Sequence, residues 1–251
     1  MAQPKFLKRV GHNPYLKIAA VVATALTAKL LGAEIPVDAE TAGVLPGDLI
    51  FQQSTSGQAA AIMEVTHSRY SHCGIVVKRG NDLFVAEAIE PVRVVATPDY
   101  ALRSLKDWIK AGEDAYAVIK RVHGGLSPER LEQLERSMRR FQGKPYDKLF
   151  QWSDDKIYCS EFIYDSFYDP NLPENQRIKI GRVETFGQLD LTGDLAERLI
   201  KKRYTDQGIA IKDDEEIITP VSVLKADNLD TVVTFDHGHI QTPTPPPVNQ
   251  N

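Results

Sequence analysis

Between Leu49 and Val122 the chain is a succession of short apolar, β-branched runs separated by turns, and this spacing most limits the folds open to it. Leu49-Ile-Phe51 follows the turn Leu45-Pro-Gly-Asp48. Tyr70 to Val77, Asp82 to Ala88, Val92 to Ala96 and Tyr116 to Val122 read as further strands, with a Glu90-Pro91 turn inside the series. Strands this closely spaced imply a mainly antiparallel sheet, because parallel neighbours need long crossovers. Helical patterns surround it. Gln58 to Thr66 places Ala61, Ile62 and Val65 at helical spacing. Ser127-Pro128-Glu129 opens a helix with Ser as N-cap, Pro at the first position and an acid in the first turn. Leu131, Leu134, Met138 and Phe141 mark its inner face and Gly143 its exit. Leu195 to Tyr204 reads as a helix, and Ile217 to Val223 as a strand end or a helix start. The expected class is α+β.

Residues 44–232 are expected to form the folded domain, between a basic and apolar segment (1–43) and a disordered Pro-rich tail (233–251) that contains Thr242-Pro-Thr-Pro-Pro-Pro-Val. In the first segment Lys5, Lys8, Arg9 and Lys17 precede an apolar run from Ile18 to Ala28, with small residues at Ala28, Gly32 and Ala33. That pattern fits a secretory signal, and equally an alanine-rich helix packed on the domain; Pro14 and Lys29 count against the signal. The basic flank tips the expectation to a periplasmic or secreted protein over a cytoplasmic one. The run is too short for a stable membrane span, which needs about 20 residues. A net charge of -4 and a pI near 5.9 offer no basic surface for nucleic acid. Neither CxxC nor HExxH spacing occurs, so no metal or cofactor is expected. Oligomeric state is left open.

The chemistry centres on Lys156-Ile-Tyr-Cys-Ser-Glu-Phe-Ile-Tyr-Asp-Ser-Phe167. Cys159, Phe162, Ile163, Ser166 and Phe167 share one helical face, Pro170 ends the segment, and Ser153, Asp154 and Asp155 offer capping chemistry before it. A cysteine in the first helical turn meets unpaired N–H groups and the positive end of the dipole, which favour a thiolate. The alternative is an inert buried thiol.

A thiol nucleophile needs a base and a group to orient the base. Of the six histidines, only His72 opens an apolar strand that could hold an imidazole rigidly. Cys73 follows it and, by strand alternation, should point away into packing as a small core hydrophobe. Glu87, an acid inside the apolar run Phe84 to Ile89, suits the orienting role if a partner meets it; a solvent-facing acid is the alternative. Tyr146 could serve as an oxyanion contact or as plain packing. Gln52 and Gln53, at the end of the first strand, are expected substrate contacts.

These segments, taken together, resemble a known family. Gly47-Asp-Leu-Ile-Phe51, Thr66 to Val76 and Val85 to Val92 resemble the first half of the permuted papain-fold amidases of the YaeF/YiiX group, within the NlpC-type superfamily. Gly143-Lys-Pro-Tyr-Asp147, Trp152-Ser-Asp-Asp and Tyr158-Cys-Ser-Glu-Phe162 resemble the second half, and the likeness extends through Arg203-Tyr204 and Thr219-Pro-Val-Ser-Val223. The resemblance implies a circularly permuted papain-like fold, a barrel-like antiparallel sheet with the Cys-bearing helix packed on it. It also implies Cys159 as nucleophile, His72 as general base, Glu87 in place of a more familiar polar third residue, and Tyr146 beside the Cys159 N–H. The expected activity is hydrolysis of an amide through an acyl-enzyme, in a small peptide or a cell-wall-type peptide. Lipid acyl hydrolysis or transfer by the same residues, and a catalytically silent binding domain, are the alternatives.

Overall fold

Strand β1 (Leu49–Gln52) lies near the middle of the main sheet and every one of its residues is buried. The computed structural model describes residues 43–97, 101–153 and 155–241. The expectations for the basic and apolar segment before Gly43, for Asp154 and for the Pro-rich end after Gln241 lie outside those residues. In chain order the other elements of the sheet-forming half are α1 (Ala59–Thr66), β2 (His72–Arg79), β3 (Asp82–Ala86), β4 (Arg103–Ser104), α2 (Leu105–Lys110) and β5 (Ala117–Val122). Then come α3 (Pro128–Arg139), α4 (Cys159–Phe167), β6 (Glu184–Thr185), α5 (Asp194–Ala196), a π-helical turn (Glu197–Lys201) and α6 (Lys202–Asp206). The chain continues through β7 (Glu216–Ile217), α7 (Pro220–Leu224), β8 (Leu229–Asp236) and β9 (His239–Gln241).

Seven strands make one antiparallel sheet in the order β4-β3-β2-β1-β5-β8-β9, and β6 pairs with β7 separately. The fold is thus α+β, as its spacing implied. Both faces of the sheet are covered, which is why the central strands are apolar almost continuously rather than at every second residue. Leu49, Phe51, Cys73, Ile75 and Val77 face one cluster, which includes Phe162, Ile163 and Phe167 of α4. Ile50, Val76, Val85 and Ile119 face the other, under Leu105, Trp108 and Ile109 of α2. Asp48, buried at the start of β1, is held by two bonds from Arg121 of β5, at 2.6 Å and 2.7 Å.

The approach of β3 to β2 depends on Gly74. A Cβ there would lie 2.5 Å from Val85 Cγ1 and 2.8 Å from the Ala86 carbonyl oxygen. The second neighbour is backbone, so the strain cannot be relieved by a side-chain rotation. Gly74→Ala should therefore lower unfolding free energy by about 1–3 kcal/mol, read as an earlier urea midpoint with an unchanged slope.

Several expectations are corrected. Val92 to Ala96 is not a strand: Arg93 makes an isolated bridge to Glu87, while the N–H groups of Val94 and Val95 bond to the Gln142 side chain. Val92 pairs with the loop after α3, donating its N–H to Lys144 O and accepting from Gly143 N–H, each at 3.0 Å. The domain boundary at 232 falls inside β8, whose Val233 and Phe235 are buried, and the sheet continues to Gln241. The expected tail is thus ordered sheet over 233–241. Helix α4 is capped by Tyr158, whose N–H donates to Glu161 at 3.3 Å; Ser153 instead closes a turn with Lys156. The region 217–223 contains both alternatives, with Thr219 capping α7 immediately after β7.

Candidate active site

Cys159 is the first residue of α4, and α4 lies across β2 so that the helix start meets the strand start. Ser160, Glu161 and Tyr164 are buried along with the expected face, so α4 is enclosed almost all round. Cys159 as a whole is 2% exposed. Its own N–H belongs to the first turn, where backbone donors lack helical acceptors and aim outward from the helix start.

His72 sits beside it, and its Nε2 lies 2.8 Å from Glu87 Oε2. The side-chain bond between His72 and Cys159 therefore uses the other ring nitrogen, Nδ1. Trp108 Nε1 donates to the same Glu87 oxygen at 2.7 Å, and the indole stacks on the imidazole with centroids 5.7 Å apart. Glu87, buried inside an apolar run, is thus met by two donors. The ring is held by the acid at its edge and by an aromatic plane on its face, which leaves it little rotational freedom.

The electrostatics follow from these contacts. For Cys159 the hydrogen bond from the Cys73 thiol leads; burial opposes it, and the bond and charge of His72 carry the thiol well below its ordinary range. For His72 burial opposes the charge, but hydrogen bonds to Cys159 and Glu87 raise its pKa to about 10. Burial would raise Glu87, yet the His72 bond and charge outweigh it and hold the carboxyl low. These directions favour charge on the sulfur, on the imidazole and on the carboxyl alike. Glu161, one turn into the same helix, is pushed up to about 9 by burial and by Asp165. Being neutral, it adds no anion beside the thiolate.

Cys73 departs in one respect from the expected packing role. It is fully buried and alternates to the face opposite the His72–Trp108 stack, as strand geometry requires. Yet its thiol and its backbone both bond to Cys159, because the helix start sits over the end of the strand and meets both faces. Tyr146 is also in this group. Its hydroxyl contacts Cys159, and burial raises its pKa well above the ordinary range, so the phenol keeps its proton.

The structure therefore brings Cys159, His72, Glu87 and Tyr146 together. Gln52 stands directly opposite His72 in the pairing of β1 with β2, and Gln53 follows it at the end of β1. Gln52 is buried against Gly112, where a Cβ would meet its Oε1 at 2.6 Å, and that oxygen has no partner. Gln53 is half-buried, and its carbonyl accepts from Glu113 N–H at 2.8 Å.

Trp108 escaped the sequence reading, although Ser104-Leu-Lys-Asp107 carries a readable cap. The Ser104 hydroxyl accepts from Asp107 N–H at 3.1 Å and donates to Asp107 Oδ2 at 2.6 Å. Trp108→Phe keeps a ring over His72 but removes a donor from a buried carboxylate. We expect a stability loss of about 1.5–3 kcal/mol, measured by chemical denaturation at neutral pH.

A small apolar recess of about 40 Å³ lies beside Cys159, lined by Ile62, Val65, Phe150, Phe186, Leu189 and Ile218 among others. Among the described residues no helix is long and apolar enough to cross a membrane.

Comparison with known proteins gives concordant matches. A family model described as permuted papain-like amidase enzyme, YaeF/YiiX, matches residues 44–233. The uncharacterized protein YiiX of Escherichia coli (strain K12) is 38% identical over 186 residues, covering 74% of this chain and 84% of that protein. A crystal structure of metalloprotein yiiX from Escherichia coli O157:H7 superposes with a TM-score of 0.64 at 37% identity, covering 74% of this chain and 94% of the other. That description calls the Escherichia coli protein a metalloprotein. Among the described residues of the present chain, no group of three or more His, Cys, Asp or Glu side chains could hold one.

Proposed function

The chain belongs to the permuted papain-like amidase family, a family of hydrolases, and from that premise we propose that it cleaves an amide through an acyl-enzyme on Cys159. The observation that carries the reading is the 2.8 Å bond that holds His72 on Glu87, with the imidazole also bonded to Cys159 at a helix N-terminus beside a recess. Cys159 thiolate attacks the carbonyl carbon and the carbon–oxygen π electrons move to oxygen. The Cys159 N–H and the Tyr146 hydroxyl receive that oxyanion, each donor contributing roughly 2.7–4 kcal/mol in comparable sites. As the carbon–nitrogen bond breaks, His72 gives its Nδ1 proton to the leaving amine. Water then attacks the thioester, His72 takes its proton, and the acid leaves with the thiolate restored. Glu87 keeps the imidazole in register and stabilises its charged form. Such proton transfer assistance contributes typically about 10²–10⁴ in rate.

The recess bears on the substrate. Its apolar lining favours an apolar group over a charged one next to Cys159. This favours, as a second reading, lipid ester or thioester hydrolysis or acyl transfer by the same residues. A thiol serves either leaving group, so the catalytic set accommodates both. Incubating the protein and its Cys159→Ala variant with peptidoglycan fragments, N-acyl amino acids and phospholipids, followed by mass spectrometry, tests the assignment. Release of an amine and an acid by wild type only is the expected result. Fatty acid release from phospholipid with intact amides would replace the amidase reading by the lipid one. Identical products from both variants would end the cysteine mechanism.

A further inference from the structure

Tyr146 is hydrogen-bonded on its far side, and the chemical types of its neighbours fix the direction of those bonds. Gln58 Nε2 lies 2.9 Å from the Tyr146 hydroxyl, and Arg203 Nη1 lies 3.2 Å from Gln58 Oε1. The same guanidinium nitrogen also donates to the Lys148 carbonyl at 3.0 Å. We propose that Gln58 and Arg203 are positioning residues, forming a one-way hydrogen-bond relay that turns the Tyr146 hydroxyl proton toward Cys159 and the oxyanion. The proposal rests on the reading of Tyr146 given above and assigns what directs it.

The physical reason is that two of the three members have no choice of role. A guanidinium has donors and no acceptor, so the Gln58 group facing Arg203 must be the carbonyl oxygen. That leaves the amide N–H to face Tyr146, where it can only donate. With a lone pair of the phenol oxygen engaged by Gln58, the O–H must point elsewhere, and Cys159 is the neighbour it contacts. Were the amide free to flip, Tyr146 would donate to the Gln58 oxygen and its proton would be lost to the site. Arg203 removes that choice.

The fold supports this use of both side chains. Gln58 is the N-cap of α1, yet its side chain makes no capping bond to the helix and is directed to Tyr146 instead. Arg203 lies on α6, directly after the π-helical turn Glu197–Lys201, whose extra residue rotates the following face relative to α5. Its guanidinium is half-buried, 6.0 Å from the Phe150 ring, so its position is set by packing as well as by charge.

Gln58→Glu is the diagnostic variant. It keeps the shape and gains an ion pair with Arg203, but presents only acceptors, so Tyr146 must turn its proton away from Cys159. The readout is the pH dependence of iodoacetamide alkylation at Cys159, resolved from Cys73 by peptide mass spectrometry. It needs no knowledge of the natural substrate. We expect Tyr146→Phe and Gln58→Glu each to move the Cys159 titration upward by about one pH unit, through loss of a donor to the thiolate. The double variant should move it no further than either alone, whereas a purely electrostatic effect of the new carboxylate would add. With octanoyl p-nitroanilide as probe, kcat should fall about tenfold or more in both single variants with KM little changed. Unaltered circular dichroism accompanies the expected result. Arg203→Met, which frees the amide to flip, should give a smaller upward shift and serves if Gln58→Glu fails to fold.

A shift in Tyr146→Phe with none in Gln58→Glu or Arg203→Met would overturn the relay and leave the Tyr146 reading standing. Additive shifts in the double variant would also overturn it. No shift in Tyr146→Phe would overturn both.

Discussion

Cys159→Ala should lower turnover by about 10⁴-fold or more, with the protein still folded. In the proposed mechanism every covalent step runs through the sulfur, and nothing adjacent can replace it. Cys73 is the other thiol within reach, but it is fully buried and its pKa is raised well above the ordinary range, chiefly by burial. It cannot supply a second thiolate. His72→Ala should cost a comparable factor, and the double variant little more than either, because sulfur and imidazole act as a unit. Removing a largely buried sulfur next to packed residues costs stability as well, so a melt should accompany the assay. The pH profile of kcat/KM adds a second check. Activity should rise with the Cys159 thiolate, well below the ordinary thiol range, and fall only as His72 loses its proton at about pH 10. Wild-type turnover surviving in Cys159→Ala would remove the nucleophile from the mechanism.

Glu87→Ala is expected to produce the second large effect, on activity and stability together. The carboxylate accepts from His72 and from Trp108, at 2.8 Å and 2.7 Å, in a buried setting. Its loss strands both groups at once. Breaking a buried charged pair costs about 3–5 kcal/mol, so the denaturation midpoint should drop markedly at neutral pH. The sign of the pH effect follows from what Glu87 does to the imidazole. Its bond and its charge both raise the His72 pKa, so without them the alkaline limb of activity must move from about 10 to lower pH. Glu87→Gln separates the contributions: it keeps an oxygen for Trp108 and loses only the charge. The alkaline limb should therefore move the same way as in Glu87→Ala but less far, with a smaller stability loss. An unmoved limb in both variants would show that His72 is held charged by Cys159 alone.

Much of the site is legible in the chain because its members sit at element boundaries, where local chemistry leaves marks. Cys159 stands at a helix start, His72 opens a strand, and Glu87 is an acid in an apolar run, where burial would call for a partner. Trp108 was hidden because its helix is six residues long, too short for a periodic pattern to emerge. Gln58 and Arg203 were hidden for another reason. A glutamine before a helix and an arginine among lysines are each ordinary, and only their meeting at Tyr146 gives them meaning. Val92 to Ala96 misled because apolar β-branched residues were read as a strand where they are packed under the α3 exit loop.

What the sequence determined by itself was the antiparallel α+β class, the order of His-bearing strand before Cys-bearing helix, and the residue types able to do thiol chemistry. Those are local matters, set by run length, turn spacing and the chemistry of single side chains. Tertiary structure alone decided that Cys73 touches Cys159, that Gln52 is packed against Gly112, and that an apolar recess lies beside Cys159. Each depends on where a helix start lands on a sheet. That placement is fixed by packing on both faces together, which no single stretch of chain encodes.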